Sequence, residues 1–283
     1  MIDHNARITI VGLGLLGGSY AKGFHAAGYR NLAGIDINED AINEALAQGL
    51  ICEGGSDPSL VRDSDIVISA LYPHAFPAWV KENQKYFKPG CFLSDVTGVK
   101  REVIRQVREV LRDDVVFTAC HPMAGREYKG LAYADEKRFH AANYIVVPDE
   151  KAPAEGIETA KEIGEILQFK HIAVLSPEEH DAMIAFLSQL THVIAVALMN
   201  TKDNTHLAEY TGDSFRDLTR IAVINEDLWP ELFIMNKDYL IREIDAFVEE
   251  MLAFRKLVEE EDAEGMKQKM IISTERRKKF TKQ

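Results

Sequence analysis

Four groups of residues in this 283-residue chain stand in patterns that could do chemistry. The first centres on His121, in Cys120-His121-Pro122-Met123-Ala124-Gly125-Arg126-Glu127, directly after the apolar run Val115–Ala119. An imidazole titrates near neutral pH, so a loop histidine beyond a strand end can act as general base. The alternative is a structural histidine. The second centres on His192, in Ser188-Gln189-Leu190-Thr191-His192, inside an apolar helical stretch. A buried ring N–H needs a partner, so His192 is either a satisfied core group or a ligand contact. The third is Arg220, in Phe215-Arg216-Asp217-Leu218-Thr219-Arg220. A guanidinium offers two parallel donors to a carboxylate, and the competing reading is a helix-surface ion pair with Asp217 three residues earlier. The fourth is the turn Gly12-Leu13-Gly14-Leu15-Leu16-Gly17, with Asp36 downstream.

These groups need elements to position them. The glycine turn follows Ile8-Thr9-Ile10-Val11 and opens a helix-length apolar segment, and Leu32-Ala33-Gly34-Ile35 then ends on Asp36. A strand, a glycine turn, a helix, a second strand and a terminal acid about 20 residues on make a dinucleotide-binding fingerprint. Gly12 permits the tight turn, Gly14 lets pyrophosphate approach the backbone, and Gly17 lets helix and strand pack closely. The free N–H groups of the helix start face the phosphates. Asp36 accepts from a ribose diol and repels a 2′-phosphate, and no arginine follows it in Ile37-Asn38-Glu39, so NAD is the expected cofactor. The expected cofactor set is Gly12, Leu13, Gly14, Leu15, Leu16, Gly17 and Asp36, with Leu71, Pro73 and Thr97 beyond later strands.

Further apolar runs, Ile66–Leu71, Cys91–Asp95, Val115–Ala119, Tyr144–Val147 and Ile172–Leu175, alternate with helical patterns. They predict one parallel sheet covered on both faces. At Ser176-Pro177-Glu178-Glu179 a capping serine, a first-turn proline and a glutamate start a helix, and the rest reads as helical. The expected architecture is therefore an α/β Rossmann-type domain over 1–175 and an all-α domain over 176–283. Asp181 to Asn200 reads as one long apolar helix buried on several sides, and Asn236 to Lys282 as a charged amphipathic run suited to an outer or dimer-facing helix. No length is left for an added regulatory domain. The basic Arg276-Arg277-Lys278-Lys279 complements a helix C-terminus.

The chain is 46% hydrophobic and 28% charged, the balance of a globular protein with room for two cores. A net charge of -12 argues against nucleic acid or an anionic membrane as main partner. Apolar runs such as Val193–Met199 are too short to span a bilayer, and the N-terminus has no signal-peptide pattern. Cys52, Cys91 and Cys120 form no CxxC pair, giving a zinc site no support and suiting buried thiols in a reducing cytoplasm.

Taken together, GLGLLGGS, SDVTGVK, HPMAGRE, SPEEHD, SQLTH and FRDLTRIA followed by Trp229 resemble the prephenate dehydrogenase family over nearly the whole chain. The resemblance implies a Rossmann domain, a helical domain that dimerises, and NAD(P)-dependent oxidative decarboxylation of prephenate to 4-hydroxyphenylpyruvate. It implies that His121 is the catalytic histidine, that Arg220 holds a substrate carboxylate and that His192 lies on the substrate side. It puts Glu127 at the site rim and makes Trp229 an aromatic residue that can reach the partner's site. Several members carry a serine hydrogen-bonded to the catalytic histidine where this chain has Gly98, and Thr97 beside it either replaces that hydroxyl or does not. Three other readings compete. Arogenate could be the substrate. A β-hydroxyacid dehydrogenase shares the architecture but uses a lysine on the long helix, where this chain offers His192. A dinucleotide-sensing regulatory protein would have no need of a base.

Overall fold

The computed structural model describes residues 1–125, 128–203 and 205–280. The chain divides into two compact units, Met1–Lys237 and Asp238–Gln283. In the first, six strands form a parallel sheet: β1 (Ile8–Val11), β2 (Leu32–Ile35), β3 (Glu53–Gly55), β4 (Ile66–Ser69), β5 (Phe92–Asp95) and β6 (Val116–Phe117), in the order β3-β2-β1-β4-β5-β6. Strands β1, β2, β4 and β5 are buried along their whole length, which is why they read as continuous apolar runs. Alternate residues feed two cores. Ile8, Ile10, Ile66, Ile68 and Phe92 face one, and Val11, Val67 and Leu93 face the other. Helices α1 (Leu15–Ala26), α2 (Glu39–Ala47) and α5 (Ala154–Ile166) cover the first through Tyr20, Phe24, Ile42 and Ile163. Helices α3 (Ala75–Asn83) and α4 (Arg101–Val110) cover the second through Phe76, Val80, Val103 and Val107.

The single parallel sheet expected from the apolar runs is corrected. After β6 the chain leaves the first sheet and forms a three-stranded one from β7 (Ala119–Pro122), β8 (Asn143–Val147) and β9 (His171–Val174). Strand β8 pairs antiparallel with β7 and parallel with β9. Periodicity identifies a buried strand but carries no information on which edge it joins. Strand β3, with the sequence Glu53-Gly54-Gly55, has no apolar signal and was not expected. Cys91 and Cys120 are buried, whereas Cys52 is exposed, against expectation.

Beyond β9 the chain is all helical. Helix α6 (Pro177–Ile184) opens with the predicted capping box between Ser176 and Glu179. It runs through a π-helical turn, Ala185–Gln189, into α7 (Leu190–Asn200). Then follow α8 (Asp213–Thr219), α9 (Leu228–Met235), α10 (Lys237–Glu259) and α11 (Ala263–Lys278). The run expected as one C-terminal helix is broken near Glu261, whose φ is +54°. Taken whole, Pro177–Asn200 is long and apolar enough to cross a bilayer by length and composition, which corrects the expectation that the apolar runs are too short. It is also less buried than expected, with only Leu190 and Ala195 of α7 fully covered. Its early turns carry His180, Asp181 and Gln189, all buried and hydrogen-bonded inside the protein.

Candidate active site

The sheet order reverses direction between β1 and β4, and ligands of open α/β sheets bind beyond the strand ends at such a point. The glycine turn lies there. Gly12 has φ +91°, and a Cβ on it would meet the Ala70 carbonyl oxygen at 2.9 Å. A Cβ on Gly17 would fall 1.8 Å from the Gly12 oxygen, so neither position admits a side chain. At Gly14 a Cβ would meet nothing within 4 Å. The three glycines thus separate into two that close the turn and one that leaves its outer face open. Gly14 caps α1, whose first turn carries no acid, and the helix start has room for an anion. Asp36 sits at the end of β2, where its carboxylate accepts from Leu13 N (2.6 Å) and Asn38 N (2.8 Å). Leu71 borders the turn, 3.5 Å from the position of a Gly12 Cβ. Just beyond Pro73, His74 N donates to Glu231 of α9 at 3.1 Å. Leu15 and Leu16 form the first turn of α1. The strand, the glycine turn, the open helix start at Gly14 and the Asp36 carboxylate have the chemistry to hold a dinucleotide's phosphates and ribose.

His121 is half-buried on β7, paired in register with Ile145. It is a strand residue, not the loop residue expected, because the chain moves to the second sheet one residue earlier than the apolar run suggests. Its Nδ1 lies 2.8 Å from Nε2 of His180, and Nδ1 of His180 lies 2.7 Å from Oδ1 of Asp181. Asp181 in turn accepts from the backbone N–H groups of Lys100 (2.8 Å, Oδ1) and Arg101 (2.9 Å, Oδ2) at the start of α4. Burial, then His180 and Lys100, hold the His121 pKa well below the ordinary histidine value. Burial likewise lowers His180, and Asp181 opposes it. Both rings are therefore neutral at neutral pH, and the His180–Asp181 contact is a hydrogen bond between a neutral ring and a carboxylate.

On the other side of His121 lies the turn after β5. A Cβ on Gly98 would stand 3.8 Å from His121 Nε2 and 3.4 Å from Leu232 of α9. Thr97 does not supply the hydroxyl that Gly98 lacks. Its Oγ1 is bonded to Asp95 and to the Val99 carbonyl (3.0 Å) and accepts from Lys100 Nζ (3.1 Å). Lys100 is fully buried and ion-paired to Asp95 at 2.6 Å, which commits its charge inside the fold. Burial pushes the Cys120 thiol up to about 11, so the cysteine beside His121 is no nucleophile.

Helix α9 links these residues to the rest of the set. Leu232 lies over Gly98, and one turn earlier Trp229 stacks on His192, with ring centroids 3.7 Å apart and an interplanar angle of 31°. His192 Nδ1 donates to the Ser188 carbonyl at 2.9 Å, so both readings of this residue have a foothold, a satisfied ring N–H and an aromatic neighbour. Arg220 is exposed and begins a short 3-10 turn as the chain leaves α8. Along α8, Arg216 pairs with Asp213 (2.8 Å). Glu127 lies outside the described residues. Sequence reasoning missed roles for His180, Asp181, Gln189 and Asn236. The segment Ser176–Asp181 signalled a helix start, and nothing local marked its histidine and acid as partners of a residue some sixty positions away. Among the described residues no group of three or more His, Cys, Asp or Glu side chains is arranged to hold a metal ion.

A dinucleotide-binding parallel sheet, a histidine on the adjacent three-stranded sheet and helices α6 and α9 packed beside that histidine and Gly98 define a dehydrogenase of the Rossmann class. Comparison with known proteins narrows this. The family model described as "Prephenate dehydrogenase, nucleotide-binding domain" matches residues 21–173, and "Prephenate dehydrogenase, dimerization domain" matches residues 176–271. The chain is 31% identical to a prephenate dehydrogenase of Bacillus subtilis over 272 residues, covering 92% of this chain and 72% of that protein. The structure resembles the A. aeolicus prephenate dehydrogenase solved with hydroxyphenyl propionate and NAD+, with TM-score 0.89, 26% identity, and 97% and 98% of the two chains covered. It shares its fold with Synechocystis arogenate dehydrogenase, with TM-score 0.83, 22% identity, and 97% and 99% covered. The chain belongs to the prephenate dehydrogenase family of NAD-binding oxidoreductases.

Proposed function

We propose that this protein catalyses the NAD-dependent oxidative decarboxylation of prephenate to 4-hydroxyphenylpyruvate, with His121 as the base. The observation that carries the reading is His121 itself, a histidine on β7 whose pKa burial holds below the ordinary value and whose Nε2 faces Gly98, 3.8 Å from where its Cβ would stand. Prephenate has a hydroxyl at ring C4, a carboxylate at ring C1 and a pyruvyl side chain. The glycine turn and Asp36 would hold NAD, which would supply the acceptor for the hydride leaving C4. His121 takes the hydroxyl proton, so the C4–O bond becomes a carbonyl. Electrons of the C1–carboxylate bond then flow into the ring, CO2 departs, and the aromatic phenolate regains a proton. Aromatisation drives this last step. Arg220 orients the substrate by its ring carboxylate, and His192, stacked on Trp229, borders the substrate side with Thr97, Gly98 and Glu127.

In this reading residues 1–175 serve the cofactor, and residues 176–283 serve the substrate and dimerisation. Within the helical part, Ile241, Val248, Met251, Leu252 and Val258 of α10 and Met270, Ile271 and Ile272 of α11 are exposed. So large an apolar surface supports a homodimer. The net charge of -12 supports a soluble cytoplasmic protein with no nucleic-acid or membrane partner.

The test is purified protein with NAD or NADP and either prephenate or arogenate, following the absorbance of reduced nicotinamide. Turnover of prephenate, with kcat/KM higher for NAD than for NADP, is expected. Turnover of arogenate alone would move the substrate assignment, and equal use of NADP would remove Asp36 as the selector.

A further inference from the structure

The contacts of His121, His180 and Asp181 carry information about where protons sit. Both oxygens of Asp181 accept backbone N–H groups, from Lys100 and Arg101, and a backbone N–H can only donate. His180 Nδ1, 2.7 Å from Oδ1, is then the donor in that contact. A neutral imidazole with a proton on Nδ1 has only a lone pair on Nε2. His180 Nε2 accordingly accepts, and His121 Nδ1, 2.8 Å away, donates to it. A neutral His121 with its proton on Nδ1 presents a bare lone pair at Nε2, the nitrogen 3.8 Å from where a Gly98 Cβ would stand.

We propose that His180 and Asp181 are positioning residues that lock His121 in the Nδ1–H tautomer, making Nε2 the atom that receives the substrate proton. The inference rests on the reading of His121 as the base. In the reaction the O–H bond of the substrate hydroxyl breaks and an N–H bond forms at His121 Nε2. The imidazolium so created is held by its Nδ1–H bond to His180, which Asp181 polarises in turn.

The chain is anchored from two directions. Asp181 joins α6 to the start of α4, satisfying two N–H groups that open a helix. Its own carbonyl accepts from Asn236 Nδ2 at 2.9 Å, Asn236 also donates to Gln189 Oε1 at 2.8 Å, and Gln189 Nε2 donates to the Leu232 carbonyl of α9 at 2.8 Å. Helix α6 is thereby fixed against the sheet and against the helix that carries Leu232 and Trp229. The charged groups around the two rings are the cation of Lys100 and the carboxylates of Asp95 and Asp181. Lys100 is neutralised by Asp95 at 2.6 Å, leaving Asp181 as the group that faces a ring directly.

The direct test is NMR of the full-length protein labelled with nitrogen-15 in histidine. His121 resonances are assigned by their loss in His121→Asn. At neutral pH, His121 should show a protonated Nδ1 and a bare Nε2, and His180→Leu should convert it to a mixture of tautomers. A protonated Nε2 in the unaltered protein, or an unchanged tautomer in His180→Leu, would overturn the proposal. Kinetics give an independent reading. His180→Leu is expected to lower kcat by about 10²-fold or more, within the range of a disabled base, with KM values little changed. His180→Gln, whose amide oxygen can accept from His121 Nδ1, should recover much of the loss. Equal loss in both variants, following their melting temperatures, means a purely structural role and defeats the proposal. The NMR result needs no turnover, so failure of the substrate assignment and failure of the tautomer lock are separately visible.

Discussion

Arg220 divides two explanations at the scale of a single residue. If it clamps a substrate carboxylate, Arg220→Gln should leave the melting temperature nearly unchanged and raise KM for prephenate by roughly 10- to 150-fold, the equivalent of a lost charged hydrogen bond of about 1.5–3 kcal/mol. Arg220→Lys should rescue poorly, because a point charge cannot reproduce a two-donor fork. Unchanged KM in both variants returns Arg220 to a surface role. For His121, replacement by Asn removes the base while keeping its approximate size. A fall in kcat of about 10²–10⁴-fold, with little change in KM for NAD, is expected, and near-normal turnover would point to His192 instead. A third prediction concerns acid. His180 is fully buried, and its pKa is depressed by burial. The folded state therefore excludes a proton that the unfolded chain takes up below its ordinary pKa of about 6.5. The resulting stability is complete above that pH and is lost as pH falls through the window beneath it, by at most about 1.4 kcal/mol per pH unit for one histidine. His121, depressed in the same direction, adds to the slope. Melting temperature should drop between pH 7 and 5, and His180→Gln should flatten the curve. The lowered carboxyls of Asp57, Asp65 and Glu102 lose their contribution only at more acid pH, so they leave this window clear.

At the scale of elements, the glycine turn separates steric from binding roles. Gly17→Ala sets a methyl carbon 1.8 Å from a backbone oxygen, and no flexible side chain can yield there. The turn must open, at a cost of about 1–3 kcal/mol or more, seen as a lower melting temperature. Gly14→Ala meets nothing within 4 Å and should melt like the parent, while weakening NAD binding because its methyl enters the space the pyrophosphate needs. A Gly14→Ala variant with unchanged NAD affinity would remove that residue from the cofactor site. The second sheet matters at the same scale. By moving His121 from a loop to a paired strand, it fixes the imidazole on a rigid element opposite α6.

For the whole molecule the expectation is a homodimer. Apolar side chains such as Met251, Leu252 and Ile271 are more than two-fifths exposed, and desolvating them requires a partner surface. Light scattering at micromolar concentration should give twice the chain mass, and replacing exposed apolar residues of α10 with glutamate should give monomers. A monomeric parent protein would contradict the reading.

What could be read from the chain alone was whatever repeats locally. The strand, glycine turn and helix at residues 8–26 are encoded within a few neighbours, as are the acid at Asp36 and the capping box at Ser176. The motif order was enough to imply the family, and the reading of His121 as the base came with that resemblance, since its neighbours alone left a structural histidine equally open. The tertiary structure decided everything that depends on residues distant in sequence. It assigned β8 antiparallel to β7, because strand pairing is chosen by the edge that remains available and not by hydrophobic period. It showed the Thr97 hydroxyl held by Asp95 and Val99 rather than standing in for a hydroxyl at Gly98, and it gave His121 a partner at its other nitrogen, His180. It also turned an unremarked His-Asp pair at the start of α6 into the neighbour of a histidine 59 residues earlier. A general base needs one ring nitrogen bare and the other tied, and which one is tied depends on what the fold brings within about 3 Å. Local sequence encodes the ring; only the packing of α6 against the sheet assigns its proton.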